Sequence, residues 1–149
     1  MITLAAAKKI SLAKIDTLKP DFATRVFEWY NAMTEAGFNP YIYCGLRSEA
    51  EQNELYKIGR DLPGHKVTNA RGGQSFHNYG RAFDWVPLIV NKKNPQMFEA
   101  AWSNNYAYEQ GQFTAVKHHL RWLSWETPHL EDANFKDWKD LQASSKKKN

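Results

Sequence analysis

The sequence predicts an α+β fold, a small and mostly antiparallel sheet with helices packed on it. Three observations carry that expectation. Apolar residues fall on one helical face from Pro20 to Ala36, two short runs rich in β-branched and aromatic residues lie at 41–46 and 82–90, and LRWLSWETPHLE at 120–131 reads as two short strands around a turn. With 149 residues, no internal repeat and no Pro/Gly/Ser-rich linker, the chain is expected to form one domain spanning 1–149.

Taken in order, the N-terminal stretch MITLAAAKKISLAKIDTLKP offers only a short apolar patch interrupted by Lys8 and Lys9. It lacks the long apolar middle and cleavage site of a secretory signal. In the first helix, Phe22, Val26, Tyr30 and Met33 share a face, Pro20 and Asp21 suit the first turn, and Gly37 suits the stop. YIYCGL at 41–46 suits a strand, and a second helix follows at once, its start marked by the capping-box pair Ser48 and Glu51. Arg47 therefore sits at a strand-to-helix junction. GRDLPGHKVTNARGGQ, residues 59–74, has the Gly and Pro content of a long irregular loop, a common place for function. AFDWVPLIV, residues 82–90, is the strongest strand, with Ala82, Asp84 and Val86 on one face and Phe83 and Trp85 on the other. After a turn at 91–95, a helix is expected within 96–120 with Phe113, Val116 and Leu120 inward, and then a strand pair turning at Thr127 and Pro128.

Composition narrows the function classes. A net charge of +4 suggests an anionic partner, which nucleic acid, a membrane surface or an acidic cell-wall polymer could each provide. Part of the excess lies in SSKKKN, so residues 143–149 are expected to be a disordered basic tail, in weak contact with anionic envelope at most. The single cysteine, Cys44, excludes an internal disulfide and a cysteine-rich zinc knuckle, and inside a strand it reads as packed. No HExxH helix, nucleophile elbow or phosphate-cradling glycine loop is present.

The remaining chemistry centres on SFHNYGRAFD, residues 75–84. His77 before a tight turn at Gly80 and Asp84 on the following strand can return to one point in space. Zinc accepts nitrogen and oxygen ligands, and a catalytic site uses three of them and leaves a fourth position to water. The spacing permits such a site without being diagnostic of one. A third ligand must come from His65, His118, His119 or His129. His118 and His119 are adjacent on a helix and diverge by about 100°, and His65 lies in the loop. His129 stands three residues after Glu126, an arrangement that can put an imidazole on the metal and a carboxylate beside its water. Zinc lowers the pKa of bound water to about 7, and a nearby carboxylate can then take its proton.

These residues resemble the LAS-type (M15) zinc metallopeptidases. SFHNYGRAFD is similar to that family's SxHxxGxAxD motif, GLRSEAEQNELY at 45–56 to its GxRSxxxQxxLY motif, and ETPH to its closing carboxylate-x-x-His, all in the family's order. The resemblance implies a zinc ion in a cleft on the sheet, held by His77, Asp84 and His129, with Glu126 as general base. It also implies that Arg47 stabilises the developing oxyanion and that Ser75 and Gln52 line the substrate cleft. Two departures stand out: relatives often carry Asp where this chain has Glu126, and RWLSW lacks the glycines relatives place there.

Within the family, the phage L-alanyl-D-glutamate endopeptidase (endolysin) branch fits a lone catalytic domain without a signal. That implies bacterial peptidoglycan as substrate, no nucleic-acid partner, a monomer, and synthesis in the host cytoplasm with access to the cell wall at lysis. The alternatives are a D-alanyl-D-alanine carboxypeptidase or dipeptidase, and a non-catalytic zinc-binding domain of the Hedgehog kind. Arg47 and Glu126 together favour catalysis, since a structural zinc needs neither.

Overall fold

In the computed structural model, which describes residues 1–146, ten regular elements build the chain. They are α1 (Leu4–Asp16), α2 (Pro20–Glu35), β1 (Pro40–Cys44), α3 (Glu49–Lys57), β2 (Ala82–Val90), β3 (Phe98–Ala100), α4 (Asn105–Lys117), β4 (Leu120–Leu123), β5 (Glu126–Asp132) and α5 (Trp138–Lys146). All strand pairs are antiparallel. The sheet runs β1-β2-β5-β4, with β3 added to the distal end of β2. The expected α+β class is what the chain adopts, and no helix among the described residues is long and apolar enough to cross a membrane.

Strand β2 organises everything because its two faces differ. Phe83 and Trp85 are completely or almost completely buried on one face, where α2 supplies Phe22, Val26, Trp29 and Met33. Trp29 packs against both, 5.1 Å from the Phe83 ring and 5.0 Å from the Trp85 ring. Ala82, Asp84 and Val86 point to the other face, as the period of two requires.

Helix α1 is an element that the interrupted apolar pattern does not reveal. Its inner positions are the small or mixed set Ala7, Ser11 and Ile15, and it covers the edge of β1, where Ser11 Oγ accepts the Ile42 N–H at 3.0 Å. That bond satisfies a strand-edge donor which would otherwise be buried without a partner.

Three expectations need correction. Helix α4, Asn105–Lys117, falls within the expected 96–120, but not with the expected residues inward. The inner stripe of α4 is Ala107, Tyr108, Gly111 and Ala115, while Phe113 and Val116 are exposed. Gly111 is the cause: the Trp85 ring occupies the space a Cβ would need there, and the Gly111 carbonyl accepts the Trp29 indole N–H at 2.9 Å. The final hairpin turns at Ser124 and Trp125, with Leu123 opposite Glu126, and a bulge absorbs Thr127 and Pro128 inside β5. Lastly, residues 143–146 of the expected disordered tail are helical in α5, anchored by buried Leu141 against Phe76 and Ala82. Residues 147–149 lie outside the described residues.

Candidate active site

On the second face of β2, three groups converge. His77 is delivered by a single 3₁₀ turn, Phe76–Tyr79, which Ser75 caps and Gly80 ends with φ of 67°. That left-handed conformation suits glycine and turns the chain directly into β2. Asp84 then lies opposite His129 in the β2–β5 register. Asp84 Oδ1 is 3.2 Å from His77 Nε2 and 3.3 Å from His129 Nδ1, and all three residues are buried.

The second nitrogen of each ring decides the chemistry of the first. His77 Nδ1 donates to the Gly45 carbonyl at 2.9 Å, and His129 Nε2 donates to Glu131 Oε1 at 2.8 Å. A neutral imidazole has one N–H, so His77 Nε2 and His129 Nδ1 present lone pairs to the Asp84 carboxylate. Lone pairs facing a carboxylate repel unless a cation lies among them. Among the described residues, His129 Nδ1 is a buried nitrogen with no hydrogen-bond partner, although it faces Asp84. The donor set of two imidazoles and one carboxylate, each oriented from behind, fits a zinc ion.

Without an ion, a proton can take the place of the cation. Burial alone lowers the pKa of His77, but the adjacent Asp84 charge and hydrogen bond push it up to about 10. Burial alone raises the pKa of Asp84, but the charge and hydrogen bond of His77, with the His129 ring close by, hold it well below the usual carboxylate range. Burial also opposes the charge on Glu131, and hydrogen bonds from His129 and Arg121 hold its pKa low. The pocket therefore favours positive charge at the point where the lone pairs meet.

Glu126 and Arg47 flank this point. Glu126 Oε2 lies 3.9 Å from His129 Nδ1 with its side chain half exposed, and it joins Asp84 and His129 in one potential metal-ligating group. Arg47 Nη2 lies 3.6 Å from Asp84 Oδ2. Both line an open cleft of about 650 Å³ between the 67–75 loop and the β4–β5 hairpin, with Ser75, Thr68 and Trp125 on its walls.

Of the two residues expected to line the cleft, one does and one does not. Gln52 does not line the cleft: it is 1% exposed, its Oε1 accepts from Arg47 Nη1 at 2.9 Å and its Nε2 donates to the Ala70 carbonyl at 2.9 Å. It stands behind the wall and ties Arg47 to the loop. Ser75 lines the cleft and also accepts the His77 N–H at 3.2 Å, so it braces the turn that holds a ligand.

Glu131 was not singled out from the sequence, and Cys44, expected to be packed inside its strand, is only half-buried and reaches the site. The signal for Glu131 was its i+2 spacing from His129, which places both on one face of a strand. Cys44 lies opposite Asp84 and forms a second potential ligating group with His77 and Asp84. Its Sγ accepts from Arg47 Nη2 at 3.3 Å. No local pattern indicates that the strand aims this thiol at the site.

The VanY family, described as D-alanyl-D-alanine carboxypeptidase, matches residues 15–139. The chain belongs to that family. The VanY match takes in every residue of the site and agrees with the motif resemblance to LAS-type peptidases. This VanY-family chain is also 52% identical over 55 residues to the peptidoglycan L-alanyl-D-glutamate endopeptidase CwlK of Bacillus subtilis (strain 168), a stretch covering 37% of this chain and 33% of CwlK. The matched region thus spans about a third of the length of that curated relative. Its fold is similar to that of the LdcB LD-carboxypeptidase, with a TM-score of 0.58 at 20% identity over 87% of this chain and 71% of LdcB.

Proposed function

We propose that this chain is a zinc-dependent peptidoglycan endopeptidase that hydrolyses the L-alanyl-D-glutamate bond of stem peptides. The observation that carries the reading is the set of lone pairs from His77, Asp84 and His129 meeting between a half-exposed carboxylate and a fixed guanidinium. His77, Asp84 and His129 would hold zinc, which when bound acidifies water and polarises a carbonyl. Glu126 takes the proton of the attacking water and passes it to the departing amine nitrogen. Arg47, held by Gln52 and Cys44, offsets the charge that develops on the scissile carbonyl oxygen.

Local identity to CwlK supports the endopeptidase bond over a terminal one. So does the charge of the cleft. Among the described residues lining it, Arg47 is the single Lys or Arg, and it faces the reacting centre, which leaves no second fixed cation for the free carboxylate of a carboxypeptidase substrate. The same proposal includes the endolysin role and host-cytoplasm location expected from the sequence, and the basic balance suits approach to an anionic envelope.

Mass spectrometry of purified Gram-negative peptidoglycan tests the reaction, with native chain, chelator-treated chain and Glu126→Gln compared. New L-alanine carboxyl and D-glutamate amino termini are expected, lost with chelator and reduced about 10²–10⁴-fold by Glu126→Gln, with zinc content and Tm retained. Release of terminal D-alanine would move the chain to carboxypeptidase chemistry, and zinc binding without cleavage would favour a binding domain. Directing the chain to the periplasm of a Gram-negative cell tests the endolysin role: lysis is expected there and not from the cytoplasm alone.

A further inference from the structure

Aromatic side chains border the site on the side away from the hairpin. Strands β1 and β5 lie on opposite sides of β2, so β1 and Glu126 flank the strand that carries Asp84 from its two edges. In β1, Tyr41 lies opposite Val86 and Cys44 opposite Asp84, with a register shift between Ile42 and Cys44. The bulge leaves Tyr43 on the same side as Tyr41, their rings 6.5 Å apart. Burial and the nearby carboxylates of Asp84 and Glu126 raise the pKa of the Tyr43 phenol, in keeping with that position. Trp102 stands edge-on to Tyr43 with centroids 5.6 Å apart, and it is 56% exposed. Neither residue belongs to the cleft already described.

An isolated exposed tryptophan needs no explanation. This one packs edge-to-face with Tyr43, the residue next to Cys44, and so extends the exposed aromatic surface outward from the strand that borders Asp84.

We propose that Trp102 and Tyr43 form a shelf for the pyranose ring of N-acetylmuramic acid, so that this chain reads the glycan along with the peptide. The inference rests on the endopeptidase reading above. In a stem peptide the first residue, L-alanine, is joined directly to the lactyl group of that sugar. With the L-alanyl carbonyl at the reacting centre, one residue of at most about 3.6 Å separates scissile bond and lactyl group. A saccharide ring must then lie against whatever flanks the site. For a bond at the far end of the stem, at least three residues, or about 10 Å, intervene. The apolar C–H face of a pyranose suits an indole, whose ring face carries partial negative charge, while the phenol supplies a polar group at the shelf's inner edge.

Kinetics on two substrates test the shelf, a muramyl pentapeptide and the same pentapeptide without its sugar. Trp102→Ala is expected to lower kcat/KM on the muramyl substrate about tenfold more than on the free peptide, chiefly through KM. Trp102→Phe should recover most of the difference, and Phe113→Ala, which removes another exposed aromatic on α4, should not alter the ratio. Equal losses on the two substrates, or no loss, would overturn the proposal. If the native chain cuts neither substrate at the L-alanyl-D-glutamate bond, the proposed reaction fails, and the shelf is then judged by binding. N-acetylmuramyl-L-alanine added to the Glu126→Gln chain is expected to shift the Trp102 indole N–H signal in an NMR titration. An unmoved Trp102 signal overturns the shelf whatever the reaction proves to be.

Discussion

The two faces of β2 make opposite use of burial. Phe83 and Trp85 are buried among apolar rings, where removal from water supplies stability. One residue away, Asp84 is nearly as buried but faces two imidazoles and a guanidinium. There burial intensifies charge interactions instead of excluding them. This fold separates stability from chemistry by the period of a single strand, so substitutions on the two faces should fail in different ways.

Asp84→Asn breaks the chemical face. Zinc affinity and peptidoglycan cleavage should fall by more than the roughly 100-fold that an outer partner of a ligand contributes, while circular dichroism still reports a folded chain. Metal analysis after dialysis checks the first point, and retained zinc would remove Asp84 from the ligand set. Trp85→Ala breaks the other face, at a cost of about 3–5 kcal/mol in a denaturant titration. Here lost activity should return wherever the protein remains folded, unlike that of the Asp84 variant.

Glu131→Gln sharpens the comparison, because Glu131 is buried on the chemical face without being an expected ligand. Zinc affinity should drop by about 10–100-fold; a titration with a competing chelator reads it. A smaller effect is expected from Asp21, whose pKa is lowered chiefly by its hydrogen bond to Arg81. A depressed folded-state pKa contributes stability above the unfolded value of 3.8 and loses it as pH falls through the folded value. The side chain is 63% exposed, so screening keeps this contribution under about 1 kcal/mol. Asp21→Asn should therefore lower Tm slightly at pH 7, and the gap from the native chain should close in acid.

Several site positions were legible because their spacing matches local geometry. The capping box at Ser48 and Glu51 started α3 where expected, which left Arg47 at the junction. The alternation in 82–90 placed Asp84 opposite to Phe83 and Trp85. Gln52 was misread because a glutamine one turn into a helix looks the same whether it faces substrate or a neighbouring loop. Only the return of Thr68 and Ala70 over α3 buries it. The inner stripe of α4 was misread because Phe113 and Val116 are more hydrophobic than Gly111, and the close approach of Trp85 favours the residue with no side chain.

Legible from the amino-acid order alone were the α+β class, the strand that divides core from site, and the candidate residues His77, Asp84, Glu126, His129 and Arg47. The fold class and that strand follow from patterns within a dozen residues, where backbone periodicity and capping act directly, and the five site residues from the resemblance of three short motifs to a known family. Tertiary structure decided which groups meet. The pairing of Asp84 with His129, the support of His129 by Glu131, the seating of Gln52 behind Arg47 and the edge-to-face contact of Trp102 with Tyr43 all join residues through strand register or loop return. Register is set by burial summed over the whole sheet, so no local stretch of this chain contains it.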